Sequence, residues 1–352
     1  MKKLFKALGI VLLVLILAVV GLFGYLTLTE YKPAAVEDLV IDQNRTAPLD
    51  KQTFTVLSWN VGYCALGEES DFFMDGGKEV RPPHKAIVDK NFGNILTELK
   101  AIGADFTFLQ EVDSGSTRSY GMDQVAQLRE ELGQASAYAL NFCTDFVPYP
   151  VPPIGRVRSG LLTLSTCQIT QAQRLSLPCP FSWPVSTANL KRCMLVSRIP
   201  LADQQRELVL VNFHLEAYDD GEGKIAQTRQ LLSLLEEEYG KGNYVLAGGD
   251  WNQIFPLTED AWPNTHKDLW TPGVLREDEL AEGWRFYWDD SVPTCRLLNQ
   301  PYDPADTENT QYYVIDGFLA SPNLTVEACD TLDEGFRFSD HNPVLIRLTM
   351  GE

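Results

Sequence analysis

Six short stretches of this chain end an apolar run on residues that can bind a metal ion or a phosphate. Leu57-Ser58-Trp59-Asn60 ends on an amide, and Phe108-Leu109-Gln110-Glu111 ends on a carboxylate. Leu210-Val211-Asn212-Phe213-His214 ends on an imidazole. Leu246-Ala247-Gly248-Gly249-Asp250-Trp251-Asn252 supplies a carboxylate and an amide, and Val314-Ile315-Asp316 a carboxylate. Ser339-Asp340-His341 leads into the apolar Val344-Leu345-Ile346. Strand ends converge on one rim of a sheet, so these groups can share a cleft despite their separation in the chain. Asn, Asp and Glu are hard oxygen donors suited to Mg²⁺, Mn²⁺ or Ca²⁺. Taken singly, Asp250 suits a turn cap, His214 a satisfied core histidine and Glu111 a solvated strand end. The ordered set of six is far harder to explain that way.

Other chemistries lack their residues. No HExxH, cysteine cluster, GxSxG or GxxxxGK[ST] occurs, which speaks against a classical zinc protease, a serine hydrolase and a P-loop enzyme. The seven cysteines are scattered with no CxxC pair, so zinc ribbons and thioredoxin-like motifs are excluded.

The elements that must carry these residues alternate from about residue 52 onward. The spacing predicts strands over 53–59, 105–110, 161–165, 194–197, 207–213, 244–248, 313–319 and 344–348. It predicts helices over 84–102, 122–132 and 225–239. Such a mixture implies layers, with sheets in the middle and helices outside. Two long stretches, 63–83 and 253–304, lack periodicity and read as loops. The second holds Trp262, Trp270, Trp284 and Trp288, which suit a pocket wall, a lipid contact or ordinary packing.

The chain has 352 residues and a formal net charge of −19. That balance disfavours tight non-specific binding to nucleic acid, because there is no basic surplus to displace counterions. Lys2, Lys3 and Lys6 precede an uncharged run from Ala7 to Thr29. A helix of that length spans a hydrocarbon core of about 30 Å. The run is too long for a cleaved signal peptide and reads as an uncleaved signal anchor. The leading lysines place the N-terminus in the cytoplasm and the remainder outside, as a single-pass protein of the plasma membrane.

Trp59-Asn60, Gln110-Glu111, Asn212-x-His214, Gly249-Asp250-x-Asn252, Asp316 and Ser339-Asp340-His341 together resemble the endonuclease/exonuclease/phosphatase superfamily. The resemblance covers roughly residues 52–349. It implies a four-layer α/β sandwich, two mixed β-sheets flanked by helices, here preceded by one N-terminal transmembrane helix. The expected organisation is residues 1–6 in the cytoplasm, an anchor over 7–29, a linker over 30–51 and a catalytic domain over 52–352.

The resemblance also implies roles. Glu111 would be the principal ligand of Mg²⁺ or Mn²⁺, with Asn60 and Asp340 completing the shell directly or through water. His341, held by Asp316, would activate or orient the attacking water. Asp250 would position that water or act as the base. Asn252 would donate to a phosphoryl oxygen, and His214 would stand near the leaving group. Deoxyribonuclease-like members carry a Tyr-x-Glu near mid-chain; the corresponding stretch here is Tyr138-Ala139-Leu140-Asn141, without the glutamate. Among Arg118, Arg156, Arg158, Lys191 and Arg192, the expected substrate contacts are Arg158 and Arg192, together with Asn141.

The function expected is divalent-metal-dependent hydrolysis of a phosphoester. The substrate is a small or lipid-linked phosphate, ranked slightly above nucleic acid. A membrane-tethered, non-catalytic binding protein on the same scaffold is the alternative. The partners implied are that substrate and the membrane; no protein partner is implied.

Overall fold

Alternation along Thr53–Asn60 sends side chains into two different cores. Phe54 and Val56 enter one apolar cluster, Leu57 and Trp59 another. Glu207–His214 divides likewise, with Leu208 and Leu210 on one side and Val209, Val211 and Phe213 on the other. Strands that are apolar on both faces need cover on both faces, so sheets must stack and helices must cover the outer sides.

The structure is a computed structural model that describes residues 1–202, 205–219 and 221–351. In chain order, the strands of its two main sheets begin with β1 (Val36–Asp38), β2 (Ile41–Asp42), β3 (Thr53–Asn60) and β4 (Phe106–Asp113). There follow β5 (Ala135–Val147), β6 (Gly155–Ser165), β7 (Gln171–Ser176), β8 (Cys193–Pro200) and β9 (Glu207–His214). The last are β10 (Tyr244–Asp250), β11 (Arg285–Tyr287), β12 (Asp316–Ala320), β13 (Leu324–Thr331) and β14 (Val344–Met350). The first sheet has the order β1-β7-β8-β9-β10-β12-β11, the second β13-β14-β3-β4-β6-β5-β2. Both are mixed. The β9/β10 and β3/β4 pairs are parallel, and the others antiparallel.

A central cluster that includes Phe54, Phe106, Leu161, Leu210, Leu246 and Phe318 fills the space between the sheets. Helices α2 (Lys85–Ile102) and α3 (Gln124–Leu132) cover the second sheet, burying Val88, Phe92, Ile95 and Leu99, and Val125 and Leu128. Helix α4 (Glu222–Gly240) covers the first sheet with Leu231, Leu232 and Leu235. The result is the expected four-layer sandwich.

Helix α1 (Lys2–Leu28) projects from the sandwich and touches it near its C-terminal end. Its best window has a mean hydropathy of 3.0 with none of it buried, so it is long and apolar enough to cross a membrane. The residues after it are not a free tether. β1 pairs with β7, β2 pairs with β5, and Leu49 bridges Leu201. Residues 30–51 therefore edge both sheets, in place of the linker expected. Their strands are two and three residues long, below what a periodic pattern reveals.

Other elements also differ from expectation. The stretch 313–319 is split, because Thr294 Oγ1 accepts from the N–H groups of Ile315 and Asp316 and pins the break ahead of β12. β5, β7 and β13 were not expected; β5 alternates small and polar residues, and β13 is an edge strand with exposed polar positions. All seven cysteines are free thiols.

Candidate active site

The strand faces that build the central core also build the site. In β3 the inward run Phe54, Val56, Ser58 continues to Asn60, and in β9 the run Leu208, Leu210, Asn212 continues to His214. In β10 Tyr244, Leu246 and Gly248 lead to Asp250, and in β12 Asp316 opens the inward run Phe318, Ala320. Register holds Asp250 opposite both His214 and Asp316. Gly248 and Gly249 make this approach possible. A Cβ on Gly248 would lie 2.4 Å from the Phe318 ring, and one on Gly249 would lie 2.0 Å from the Phe213 carbonyl oxygen. Beneath the site, Gln110 donates to Asn212 Oδ1 at 2.9 Å and to Ser58 Oγ at 3.3 Å.

Glu111 reaches the site by a different device. Strict alternation would turn it away from the inter-sheet core, onto the face of Leu109, which packs under the helices. A register shift between Leu109 and Val112, with Glu111 at φ 56°, swings its carboxylate to the other side.

His341 Nδ1 lies 2.8 Å from Asp316 Oδ2. Its Nε2 lies 3.8 Å from Asp250 Oδ2 and 4.0 Å from Asp340 Oδ2. His214 Nε2 is 3.3 Å from Asp250 Oδ2, and its Nδ1 is 3.9 Å from Glu111 Oε1. Asn60 Nδ2 donates to Asp250 at 3.0 Å and to Glu111 at 3.3 Å, while its Oδ1 accepts from the Gly62 N–H. Asn252, at φ 50°, donates its backbone N–H to Asp250 Oδ1 and its Nδ2 to Leu215 O. Glu111, His214, Asp250, Asn252, Asp340 and His341 line one cavity of about 810 Å³.

The crowding of buried acids shows in their protonation. Burial, then the neighbouring Asp316, pushes the Asp250 carboxyl up to about 7. Burial pushes Asp340 up to about 7 as well; Glu111 adds to that and His341 opposes it. Burial acts to lower His341, but Asp316 outweighs it and the imidazole rises well above its ordinary value. Burial and the Arg192 charge hold His214 well below its own. The Asp316 Oδ1 atom is buried without a hydrogen-bond partner. Hard oxygen donors crowded in this way, with two carboxyls driven toward the neutral form, are the environment that a divalent cation relieves. Asp250, Asp316 and His341 offer ligand atoms within 4.8 Å of one another, but His341 Nδ1 and Asp316 are already joined to each other. Glu111 and Asp340 have the freer carboxylates.

The model of the Endonuclease/Exonuclease/phosphatase family matches residues 57–341, most of the folded domain. The chain belongs to this family. No curated protein sequence matches it. The similar solved structures include an endonuclease/exonuclease/phosphatase from Beutenbergia cavernae, with 18% identity and a TM-score of 0.57 over 86% of this chain and 72% of that one. The human Nocturnin catalytic domain with bound sulfate is 15% identical, with a TM-score of 0.52 over 89% and 97%. A humanized D. rerio TDP2 is 14% identical, with a TM-score of 0.52 over 85% and 100%. At these identities the likeness is one of fold. Endonuclease/exonuclease/phosphatase proteins are typically metal-dependent phosphoesterases.

At the place of the Tyr-x-Glu of deoxyribonuclease-like members, Tyr138 donates its hydroxyl to Val112 O and packs under the helices. Asn141 does reach the cavity. Its Oδ1 accepts from the Cys193 N–H at 2.9 Å, so the amide group left for the pocket is the Nδ2 donor. Arg192 also lines it, buried against Glu216 at 3.1 Å and donating to His214 O.

Arg158 does not join the wall. The cavity is lined by its β6 neighbours Ser159 and Gly160, while Arg158 lies opposite Cys143 in the β5 pairing. The cation present there is Arg118, paired with the buried Asp113 at 3.0 Å and stacked 3.6 Å over the Tyr63 ring. Asp75 is a further acid in the wall, accepting from Tyr218 and from the Leu298 N–H. It sits in the stretch 63–83, whose lack of periodicity marks a loop without singling out the residue.

Proposed function

We propose that the chain is a divalent-metal-dependent hydrolase of phosphoester bonds, using Mg²⁺ or Mn²⁺. In this reading α1 anchors it in the plasma membrane, with the N-terminus cytoplasmic and the domain after residue 29 outside. The carrying observation is the meeting of Glu111, Asp250, Asp340 and His341 in one cavity, with Asp316 bonded to His341 behind its wall. A binding protein has no need of a carboxylate flanked by two imidazoles, so the enzyme reading is favoured over a tethered scaffold.

Glu111 and Asp340, with Asn60 beside them, would hold the cation, which when bound would offset negative charge on the phosphoryl oxygens. Asp250 and His341 would face the attacking water. The water oxygen would form a bond to phosphorus as the ester P–O bond breaks, the water proton would pass to Asp250 while His341 orients the water, and the departing oxygen would take its proton from solvent. Asp316 fixes the ring that makes this transfer possible. Asn252, through the Nδ2 hydrogen that Leu215 O does not take, and His214 would donate to the phosphoryl and leaving oxygens.

Full-length protein in detergent is given bis-p-nitrophenyl phosphate, p-nitrophenyl phosphate and single-stranded DNA, with Mg²⁺, with Mn²⁺ and with EDTA. Metal-dependent turnover of at least one is expected. Folded protein with none would remove the proposal.

A further inference from the structure

The cavity that holds the acids is much larger than a phosphate, and part of its wall comes from the apolar N-terminal helix. Phe23 and Leu26 of α1 line the same cavity as Glu111, Asp250 and His341. Leu26 is only 3% exposed and Leu22 and Phe23 are half-buried, although most of the helix is bare. The docking is specific. Trp183 Nε1 donates to Thr27 Oγ1 at 3.1 Å, and the Trp183 and Phe23 rings lie 5.9 Å apart. Just past the helix, Lys191 pairs with Glu30 at 2.9 Å, and the Ser176 N–H donates to Ala35 O at 2.9 Å. The domain is thus held against the end of its own anchor.

This placement sets the depth of the cavity wall. Phe23 lies six residues before Thr29, the end of the uncharged run, or about 9 Å further along the helix. With α1 across a bilayer, that part of the wall is inside the hydrocarbon layer. Large apolar side chains stand exposed at Trp183, which touches α1, at the cavity-lining Tyr149 and Val185, and at Val151 beyond them in sequence. Tyr149 is 69% exposed, Trp183 62% and Val185 56%, and Val151 in the β5–β6 turn is 93% exposed. Exposed Tyr and Trp of this kind sit comfortably at the level of lipid headgroups.

The chemistry along the cavity is graded. Its two wall arginines, Arg118 and Arg192, stand at the acidic end and are each paired with a buried carboxylate. The wall beside α1 includes Val185, and the apolar lining continues through Phe142, Tyr149, Leu190, Phe72 and Phe73. Nucleic acid or a sugar phosphate would find no charge to meet there. A hydrocarbon chain would be sheltered from water along its length.

We infer that the substrate is a bilayer lipid whose phosphoester sits at the acidic end while its hydrocarbon chain lies in the vestibule walled by α1, entering sideways from the membrane. This deepens the phosphoesterase reading and rests on it.

The test uses full-length protein in phosphatidylcholine nanodiscs, without metal, carrying phosphatidic acid with a photoreactive diazirine at the end of one acyl chain. Labelling is expected on the peptides of Phe72 and Phe73 and of Phe142 to Tyr149. Excess phosphatidic acid should remove it and glycerol phosphate should not. Val185→Asp, a change at an exposed position, should weaken it about tenfold. Label confined to residues 7–22 of α1 overturns the assignment, as does equal competition by glycerol phosphate or by single-stranded DNA. Turnover of bis-p-nitrophenyl phosphate, p-nitrophenyl phosphate, single-stranded DNA and the phosphatidic acid itself, with Mg²⁺ or Mn²⁺, is read on the same discs. Turnover without vestibule labelling overturns the lipid substrate and leaves the phosphoesterase standing. Labelling without turnover overturns both, since the lipid is then a ligand and not a substrate.

Discussion

Asp316 Oδ2 lies 2.8 Å from His341 Nδ1, and the same β10/β12 register that sets Asp316 opposite Asp250 leaves His341 Nε2 3.8 Å from the Asp250 carboxylate. One carboxylate fixes the ring, and the ring then faces the second carboxylate. Asp316→Asn keeps the shape but replaces the acceptor of that hydrogen bond. Turnover is expected to fall about 10²- to 10⁴-fold with little change in KM. Steady-state kinetics on a chromogenic diester check this, and an unchanged kcat would contradict it.

Glu111 is the acid that only a bulge brings into the cavity. Its loss should abolish cation binding while leaving the fold intact. Wild-type protein is expected to gain about 2.7 kcal/mol when Mn²⁺ stands a hundredfold above its Kd. Glu111→Gln should show almost none of this gain in thermal melts with and without Mn²⁺. An equal gain in both would place the ion elsewhere.

Gly249 carries the close approach of β10 to β9. Gly249→Ala puts a methyl group 2.0 Å from the Phe213 carbonyl oxygen, and backbone cannot yield as a side-chain tip can. A loss of about 3 kcal/mol or more is expected, read as the urea midpoint. A shift under about 0.5 kcal/mol would show that the strands do not pair in this way.

Glu238 should set part of the acid limb of stability. Burial acts to raise its carboxyl, but hydrogen bonds from Arg198 and Lys241 outweigh burial and hold it down at about 2. Its folded-state value thus lies below the unfolded 4.5, so its contribution is full above pH 4.5 and fades as pH falls toward 2. Glu238→Gln should destabilise the protein at pH 7 and flatten the loss between pH 4.5 and 2. Urea midpoints across that range check it; parallel curves would refute it.

Much of the site was legible because one rule places it. Asn60, His214, Asp250 and Asp316 each extend or open an inward-facing run of an apolar strand, so residue type and period 2 were enough. Glu111 was legible as a type, but its orientation depends on a bulge and a positive φ that no pattern announces. Arg158 was misplaced for a related reason: nearness in sequence to Ser159 and Gly160 says nothing of which strand face it takes. Arg118 and Asp75 come from turns and loops, where position is set by tertiary contacts. The edge strands over 30–51 escaped because two or three residues carry no period. The apolar rim at Tyr149 and Val151 lies in a proline-rich turn, and its meaning depends on where α1 docks.

The most direct test of the central claim is the rate of bis-p-nitrophenyl phosphate hydrolysis by the full-length protein as Mg²⁺ is added and then chelated, with Asp250→Asn run alongside. Saturable turnover that chelation abolishes, reduced about 10³-fold or more in the variant, is the outcome predicted. Turnover that ignores the metal, or that Asp250→Asn leaves intact, would contradict it.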